Sequence, residues 1–382
     1  MGDPAKRQEP WHGLPVDPAE RIRAIRIYEV RIPLRPELRL AGRTISAREY
    51  LVVEIEVASG SVGTAYALTR GLPLAAHARK AAAGLLDSPL SSVFQVGDGS
   101  RSPGGRVRAV FDACGWDLLG ALTGRPVWSL IEERAGIAAA PKPALAVAGY
   151  RRGAESDQAM AARLLALSTG VRALKLAPST RAGTDLNGVL QALGADRVGP
   201  ARGIVVDFGN AFEALDEALA AIRALPDVDV AWVEDPFPPP AAERTAALRA
   251  AYSGRVGAGD EQTLGEVEGL ARSRAVDILR LDYTTAGGIS ELLGVVPQLP
   301  CRASFHVYPE IHRHLAAVFA QEVELFLPGD PFDFSDRLFH SDLNLDRDGM
   351  VGLSERPGWG LGFIPSAAQG LGGHIESASY AK

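Results

Sequence analysis

Residues 203–210 read GIVVDFGN, residues 230–236 read VAWVEDP, and residues 255–262 read RVGAGDEQ. Each is a short apolar run closed by an acidic residue: Asp207, Glu234, and the pair Asp260-Glu261. Continuous apolar runs of this length suit parallel strands buried on both faces. Working outward, the same pattern recurs in ALAVAG (144–149), VRALKL (171–176), DILRLD (277–282), RASFH (302–306) and VELFL (323–327). Eight runs, spaced by helical stretches rich in Ala and Leu, predict a (β/α)8-type barrel. The runs from the second to the seventh carry, in order, Lys175, Asp207, Glu234, Asp260-Glu261, Asp282 and His306. In a barrel these strand ends converge on one mouth.

The rest of the chain predicts an α/β protein in which this barrel carries a second unit. Residues 21–67 alternate in strand fashion, through IRAIRIYEVRIPL, YLVVEIEV and VGTAYAL. Helical patterns follow in LAAHARKAAAGLL and VRAVFDACGWDLLGALTG, the latter stopped at Gly124. The expected organisation is a flexible arm at 1–20, an N-terminal α+β capping domain at 21–141, the barrel at 142–345, and a C-terminal segment at 346–382 that packs back on the capping domain.

Composition narrows the function. The 382 residues carry 40 basic against 46 acidic side chains, a net charge of −6. That argues against a nucleic-acid binder, which needs a basic stripe. No run of 18 apolar residues is present to span a membrane, and the N-terminus has no apolar secretory core. Cys114 and Cys301, far apart, form neither a disulfide framework nor a thiolate metal site. A reducing, cytoplasmic setting is expected. Only five of the basic residues are lysines, so Lys175, inside an apolar run, stands out.

Several carboxylates around one barrel mouth demand a compensating charge. A hard divalent cation supplies it, and monodentate carboxylates with room for water suit Mg²⁺. Any single Asp at a strand end serves equally well as a helix N-cap; the ordered series is what N-capping leaves unexplained. A lone His306 reads as a core histidine. Beside Asp282 on the neighbouring strand it reads as a base whose tautomer a carboxylate fixes. His312 and His314 read as surface or packing residues.

These segments resemble the enolase superfamily, in its mandelate racemase-like subgroup. AVFDACGWDLLGALTGRPVWSL resembles the family's closing capping-domain helix, ALKL its lysine motif, and IVVDFGN, WVEDPF and GAGDEQ its three metal-ligand segments. LDYTTAGGI and SFHVYPEIHRHLAA resemble its Asp…His segments, and ERPGWGLGF its closing motif. The resemblance implies Mg²⁺-dependent removal of the proton α to a carboxylate through a metal-stabilised enediolate. Asp207 and Glu234 would be metal ligands, with Asp260 or Glu261 the third and Asp260 favoured. Lys175 would contact the substrate carboxylate, and His306, oriented by Asp282, would be the general base or acid. Asp282 takes the place of a lysine found in the muconate-lactonizing branch, which excludes a pair of opposed lysines.

Three departures from the family pattern bear on the reaction. Lys175-Leu176-Ala177 lacks the usual second lysine. Gly209 stands where Asn is usual, with Asn210 one residue later. Leu325 stands at the usual eighth-strand glutamate, with Glu324 adjacent. A single His306–Asp282 dyad favours syn-type dehydration of a sugar acid. The alternatives are a racemase or epimerase using Lys175 with His306, or a family member that only binds a carboxylate. Asn210, Arg70 and Arg43 are candidate substrate contacts, since the capping-domain segments 36–48 and 69–71 would set specificity. The resemblance further implies a homo-oligomer, dimer or octamer.

Overall fold

The computed structural model describes residues 9–17, 19–40, 43–97, 102–168, 170–171, 173–177, 186–195, 203–327, 330 and 332–381. The capping unit begins with three long strands, β1 (Ile22–Leu40), β2 (Arg43–Val57) and β3 (Val62–Leu68), paired antiparallel in sequence order. Their alternation puts Ile25, Ile27, Val53, Ile55 and Ala65 into the core. Helices α1 (Leu74–Leu85), α2 (Pro103–Thr123) and α3 (Val127–Ala135) follow. Helix α2 starts on Ser102, whose hydroxyl accepts from Gly105 N at 3.1 Å, and ends on Gly124 at φ 67°. That left-handed stop is the one glycine tolerates best.

The second unit alternates strands and helices. In order these are β4 (Lys142–Gly149), α4 (Asp157–Ser168), β5 (Ala173–Leu176), α5 (Asn187–Ala195), β6 (Ile204–Asp207), α6 (Leu215–Arg223), β7 (Val230–Glu234) and α7 (Ala242–Ala251). Then come β8 (Val256–Ala258), α8 (Leu264–Arg272), β9 (Ile278–Leu281), α9 (Ile289–Val295), β10 (Arg302–Phe305), α10 (Pro309–Phe319) and β11 (Val323–Leu325). All eight strands are parallel, in spatial order β10-β9-β8-β7-β6-β5-β4-β11. β11 pairs back on β4, so the sheet curls into a barrel whose hydrogen-bonded ring is interrupted between β10 and β11. Each of the eight apolar runs in the sequence is one of these strands. Leu145, Val205, Trp232 and Ile278, from four strands, fill the barrel interior below the mouth.

The C-terminal part serves both units. β12 (Phe339–His340) pairs with β14 (Gly362–Phe363), and β13 (Met350–Val351) pairs antiparallel with β4. β15 (His374–Ala381) adds an edge strand to the capping sheet, antiparallel to β1, and Phe339 and Phe363 pack on Tyr66 and Tyr28 of the same sheet. In the N-terminal arm, Trp11 lies against Phe94 with ring centroids 5.5 Å apart. Among the described residues, no helix is long and apolar enough to cross a membrane. His312 and His314, on α10, are buried packing residues.

Candidate active site

The parallel register places the polar strand ends side by side. Asp207 of β6 is directly opposite Glu234 of β7. Asp260 follows β8 on a turn set by Gly259, which has φ 133° and lies so close to the Arg280 backbone that a Cβ would collide with its carbonyl. The buried Asp235 carboxylate holds that turn by accepting from Gly259 N at 2.9 Å and Asp260 N at 3.1 Å. Asp207, Glu234 and Asp260 each offer an oxygen within 4.8 Å of the others.

Lys175 is the cation at their centre. Its ammonium, 2 % exposed, lies 3.2 Å from Asp207 Oδ2, 3.0 Å from Asp260 Oδ2 and 3.4 Å from Glu324 Oε2, and also pairs with Glu234. Burial alone would lower its pKa; the four carboxylates reverse this and hold it well above the ordinary lysine value. A second buried cation, Arg280 of β9, was not singled out from the sequence. Its Nε lies 3.0 Å from Asp260 Oδ1 and 3.2 Å from Glu234 Oε2, its Nη1 donates to Ser304 Oγ at 2.5 Å, and its Nη2 pairs with Glu324.

The carboxylates respond unequally. Burial pushes Glu234 up to about 7, with Arg280 and Lys175 opposing it. Asp260 is buried as well, but Arg280, His306 and Lys175 take it well below the usual carboxylate range. Glu324 is lowered too, by Arg280 and Lys175 against burial. Glu324 therefore faces the site, and Leu325 packs in the core. The eighth-strand glutamate taken as replaced by Leu325 is present one position earlier.

His306 follows β10. Its Nδ1 approaches Asp260 Oδ2 at 2.9 Å and Glu324 Oε1 at 3.2 Å. Burial lowers its pKa, yet these two carboxylates more than offset that and raise it to about 10. The expected hydrogen bond from Asp282 to this ring is not present. Asp282 Oδ1 instead accepts from Thr284 N at 2.8 Å and Thr284 Oγ1 at 2.7 Å. Its Oδ2 is buried with no hydrogen-bond partner, and burial raises its pKa. The charge of His306, through space, opposes that rise.

Glu261 is not part of the carboxylate triad. At φ 57° its backbone turns the side chain toward the capping domain, where it meets Arg70 at 2.9 Å and Arg106 at 3.3 Å. Arg70 also reaches His306 Nε2 at 3.4 Å. Asn210, at φ 63°, donates its backbone N–H to Asp235 O at 2.6 Å and leaves its buried Oδ1 unpartnered beside the cavity. The side chain of Arg43 lies outside the described residues. Ala177, at the place of the second lysine, is buried and apolar.

The donor set fits a hard divalent cation. Glu234 shows this best: its Oε2 accepts from Trp232 Nε1 at 2.7 Å, while its buried Oε1 has no hydrogen-bond partner and faces Lys175. Asp207 Oδ2, Glu234 Oε1 and Asp260 Oδ2 all face one point, where the Lys175 ammonium sits, and three such carboxylate oxygens are the donor type Mg²⁺ takes.

A curled eight-stranded parallel sheet with an acidic triad at its C-terminal mouth defines the class: an α/β barrel with a divalent-cation type site. The comparisons then place the chain. Residues 158–367, more than half of it, match the family described as Enolase C-terminal domain-like. The chain belongs to the enolase superfamily. Among solved structures, L-talarate/galactarate dehydratase from Salmonella typhimurium LT2, liganded with Mg and L-lyxarohydroxamate, superposes with TM-score 0.79 at 20% identity, covering 95% of each chain. L-talarate dehydratase from Polaromonas sp. JS666, complexed with Mg and L-glucarate, gives 0.79 at 23% identity, covering 95% of this chain and 100% of that one. A mandelate racemase/muconate lactonizing enzyme from Polaromonas sp. JS666 gives 0.75 at 23% identity, covering 96% and 99%. No curated protein sequence matches the chain.

Proposed function

We propose that the chain binds Mg²⁺ through Asp207, Glu234 and Asp260, removes the proton α to a carboxylate, and thereby dehydrates a sugar acid. The reading is carried by one observation: three carboxylates, one lysine and one histidine meet at the barrel mouth, and Asp207, Asp260, Lys175 and His306 among them line one cavity. An α-proton of a carboxylate is very weakly acidic, and a bound divalent cation stabilises the charge that develops when it leaves. Lys175 holds the substrate carboxylate. His306 takes the α-proton on Nε2 in its neutral form; the carboxylate field on Nδ1 that otherwise keeps the ring protonated would be weakened by a cation held at Asp260. His306 then returns that proton to the departing β-hydroxyl. The C–H and C–O bonds break, a C=C bond forms, and water leaves, so no redox partner is needed. The enol product relaxes to a 2-keto-3-deoxy acid.

Dehydration is favoured over racemisation because racemisation needs acid–base groups on both faces of the substrate. Ala177, at the place of the second lysine, removes one. Two of the structural neighbours are dehydratases liganded with Mg, which supports the same choice. The test is a panel of acid sugars incubated with Mg²⁺ in deuterated water. Exchange at the α-carbon with a 2-keto-3-deoxy product supports the reading. Exchange with an epimeric product and no keto acid selects the racemase instead. Mg²⁺ binding with no exchange on any acid overturns catalysis.

A further inference from the structure

Four arginines are buried among the described residues: Arg48, Arg106, Arg280 and Arg313. Three of them are neutralised by carboxylates. Arg106 pairs with Glu261, Arg280 with Glu234, Asp260 and Glu324, and Arg313 with Asp342. Arg48 is the exception. It is 6 % exposed, yet no carboxylate among the described residues lies within 4.0 Å of it. Its Nε donates to Phe332 O at 2.5 Å, and its guanidinium plane lies over the Phe326 ring, 5.8 Å from the centroid. A guanidinium carries five donors, and here one is used. Burying such a charge without a counter-ion is unfavourable.

Arg48 also lines the active-site cavity of about 260 Å³. Lys175, Asp207, Asp260 and His306 line the catalytic part of this cavity, and Leu38, Ile45, Val147, Tyr150 and Phe326 line another stretch of it. Tyr150 lies between the two, since its phenol feels Lys175 and Asp207 as well as Arg48. The cavity thus has a cation-rich acidic site at one part and, across mostly apolar walls, a single unpaired guanidinium.

We propose that Arg48 is an anion subsite that pairs with a second carboxylate of the substrate, so that the preferred substrates are dicarboxylic acids. With Nε committed to Phe332, the two Nη groups present an edge that fits a carboxylate in bidentate fashion. A neutral sugar terminus would leave that charge without an anion. This assignment rests on the proposed function for the position of the first carboxylate.

The experiment compares D-glucarate with D-gluconate, which differ only in whether the far terminus is a carboxylate, on the parent, Arg48→Met and Arg48→Lys. With Mg²⁺ in deuterated water, α-exchange by the parent is expected to favour the diacid. Arg48→Met should lose roughly 100-fold in kcat/KM on the diacid, mostly through KM, and less than about threefold on the monoacid. Arg48→Lys should recover part of the loss. Equal losses on both acids, or a parent indifferent to the second carboxylate, would overturn the assignment. Should neither acid exchange, calorimetric binding of the same two acids to the Mg²⁺-loaded protein decides. Tighter diacid binding that Arg48→Met abolishes upholds the subsite while the catalytic reading falls; no difference between the acids overturns the subsite. Should Arg48→Met not fold, Arg48→Lys and Arg48→Gln carry the same comparison.

Discussion

Replacing Arg280 with methionine tests whether the mouth of the barrel is held together by charge. The guanidinium is fully buried, 3.0 Å from Asp260 and 3.2 Å from Glu234, and paired with Glu324. Methionine fills much of the same volume but removes the charge, so three buried carboxylates are left with Lys175 and His306 alone. Removing one partner of a buried ion pair costs about 3–5 kcal/mol, because the other is stranded. For a unit of about 200 residues, 1 kcal/mol moves Tm by roughly 2–4 °C, so the expected drop is about 6–20 °C in EDTA. The stranded charge is negative, and a divalent cation at the triad offsets it. The gap between variant and parent should therefore shrink in saturating MgCl₂, and the Mg²⁺-induced rise in Tm should be larger in the variant. Thermal unfolding in EDTA and in MgCl₂ reads both. A variant that melts within about 2 °C of the parent in EDTA, or a gap equal in the two buffers, refutes the electrostatic argument.

Other expected outcomes are equally direct. Asp260→Asn should weaken Mg²⁺ binding by roughly 100-fold in calorimetry, whereas Glu261→Gln should leave it nearly unchanged; the reverse order would make Glu261 the ligand. His306→Asn should abolish α-proton exchange and leave Mg²⁺ affinity nearly intact, and unchanged turnover would remove His306 from the chemistry. His312, held between Val307 O at 2.7 Å and Tyr283 N at 3.3 Å, is lowered by burial to about 3. A histidine with a depressed folded pKa stabilises above its unfolded pKa of about 6.5, and that stability is lost as pH falls below it. Between about pH 7.5 and 5.5, His312 should remove about 1.4 kcal/mol of unfolding free energy. His312→Gln should flatten that slope in urea titrations, and an unchanged slope would assign the acid sensitivity elsewhere.

The strands and the triad were legible because both follow from periodicity. Buried parallel strands write themselves as apolar runs, and a polar residue at the end of each run must face the mouth. What failed to show depends on which of two neighbours turns inward. Asp260 and Glu261 are indistinguishable in the sequence; the left-handed backbone at Glu261 separates them. Glu324 and Leu325 are the same problem on a strand of three residues. Arg280 was hidden mid-run in DILRLD, though a period of two puts it on the face of Asp282, and a charge there needed explaining. The supposed Asp282–His306 hydrogen bond came from strand adjacency; Thr284, two residues on, takes that oxygen instead. Arg48 left no local signal, since its unpaired state is a property of tertiary surroundings.

The strand β15, which pairs with β1 from Ala24 to Arg31, has a bearing on biosynthesis. The edge it covers emerges from the ribosome more than 300 residues before its partner does. At about 5–20 residues per second, that edge of the capping sheet waits for tens of seconds with its backbone groups unpaired. Over that interval it is an open template for strands of other nascent chains. The charged side chains along β1 (Arg23, Arg26, Glu29 and Arg31) keep the waiting edge charged, so β15 finds it still free.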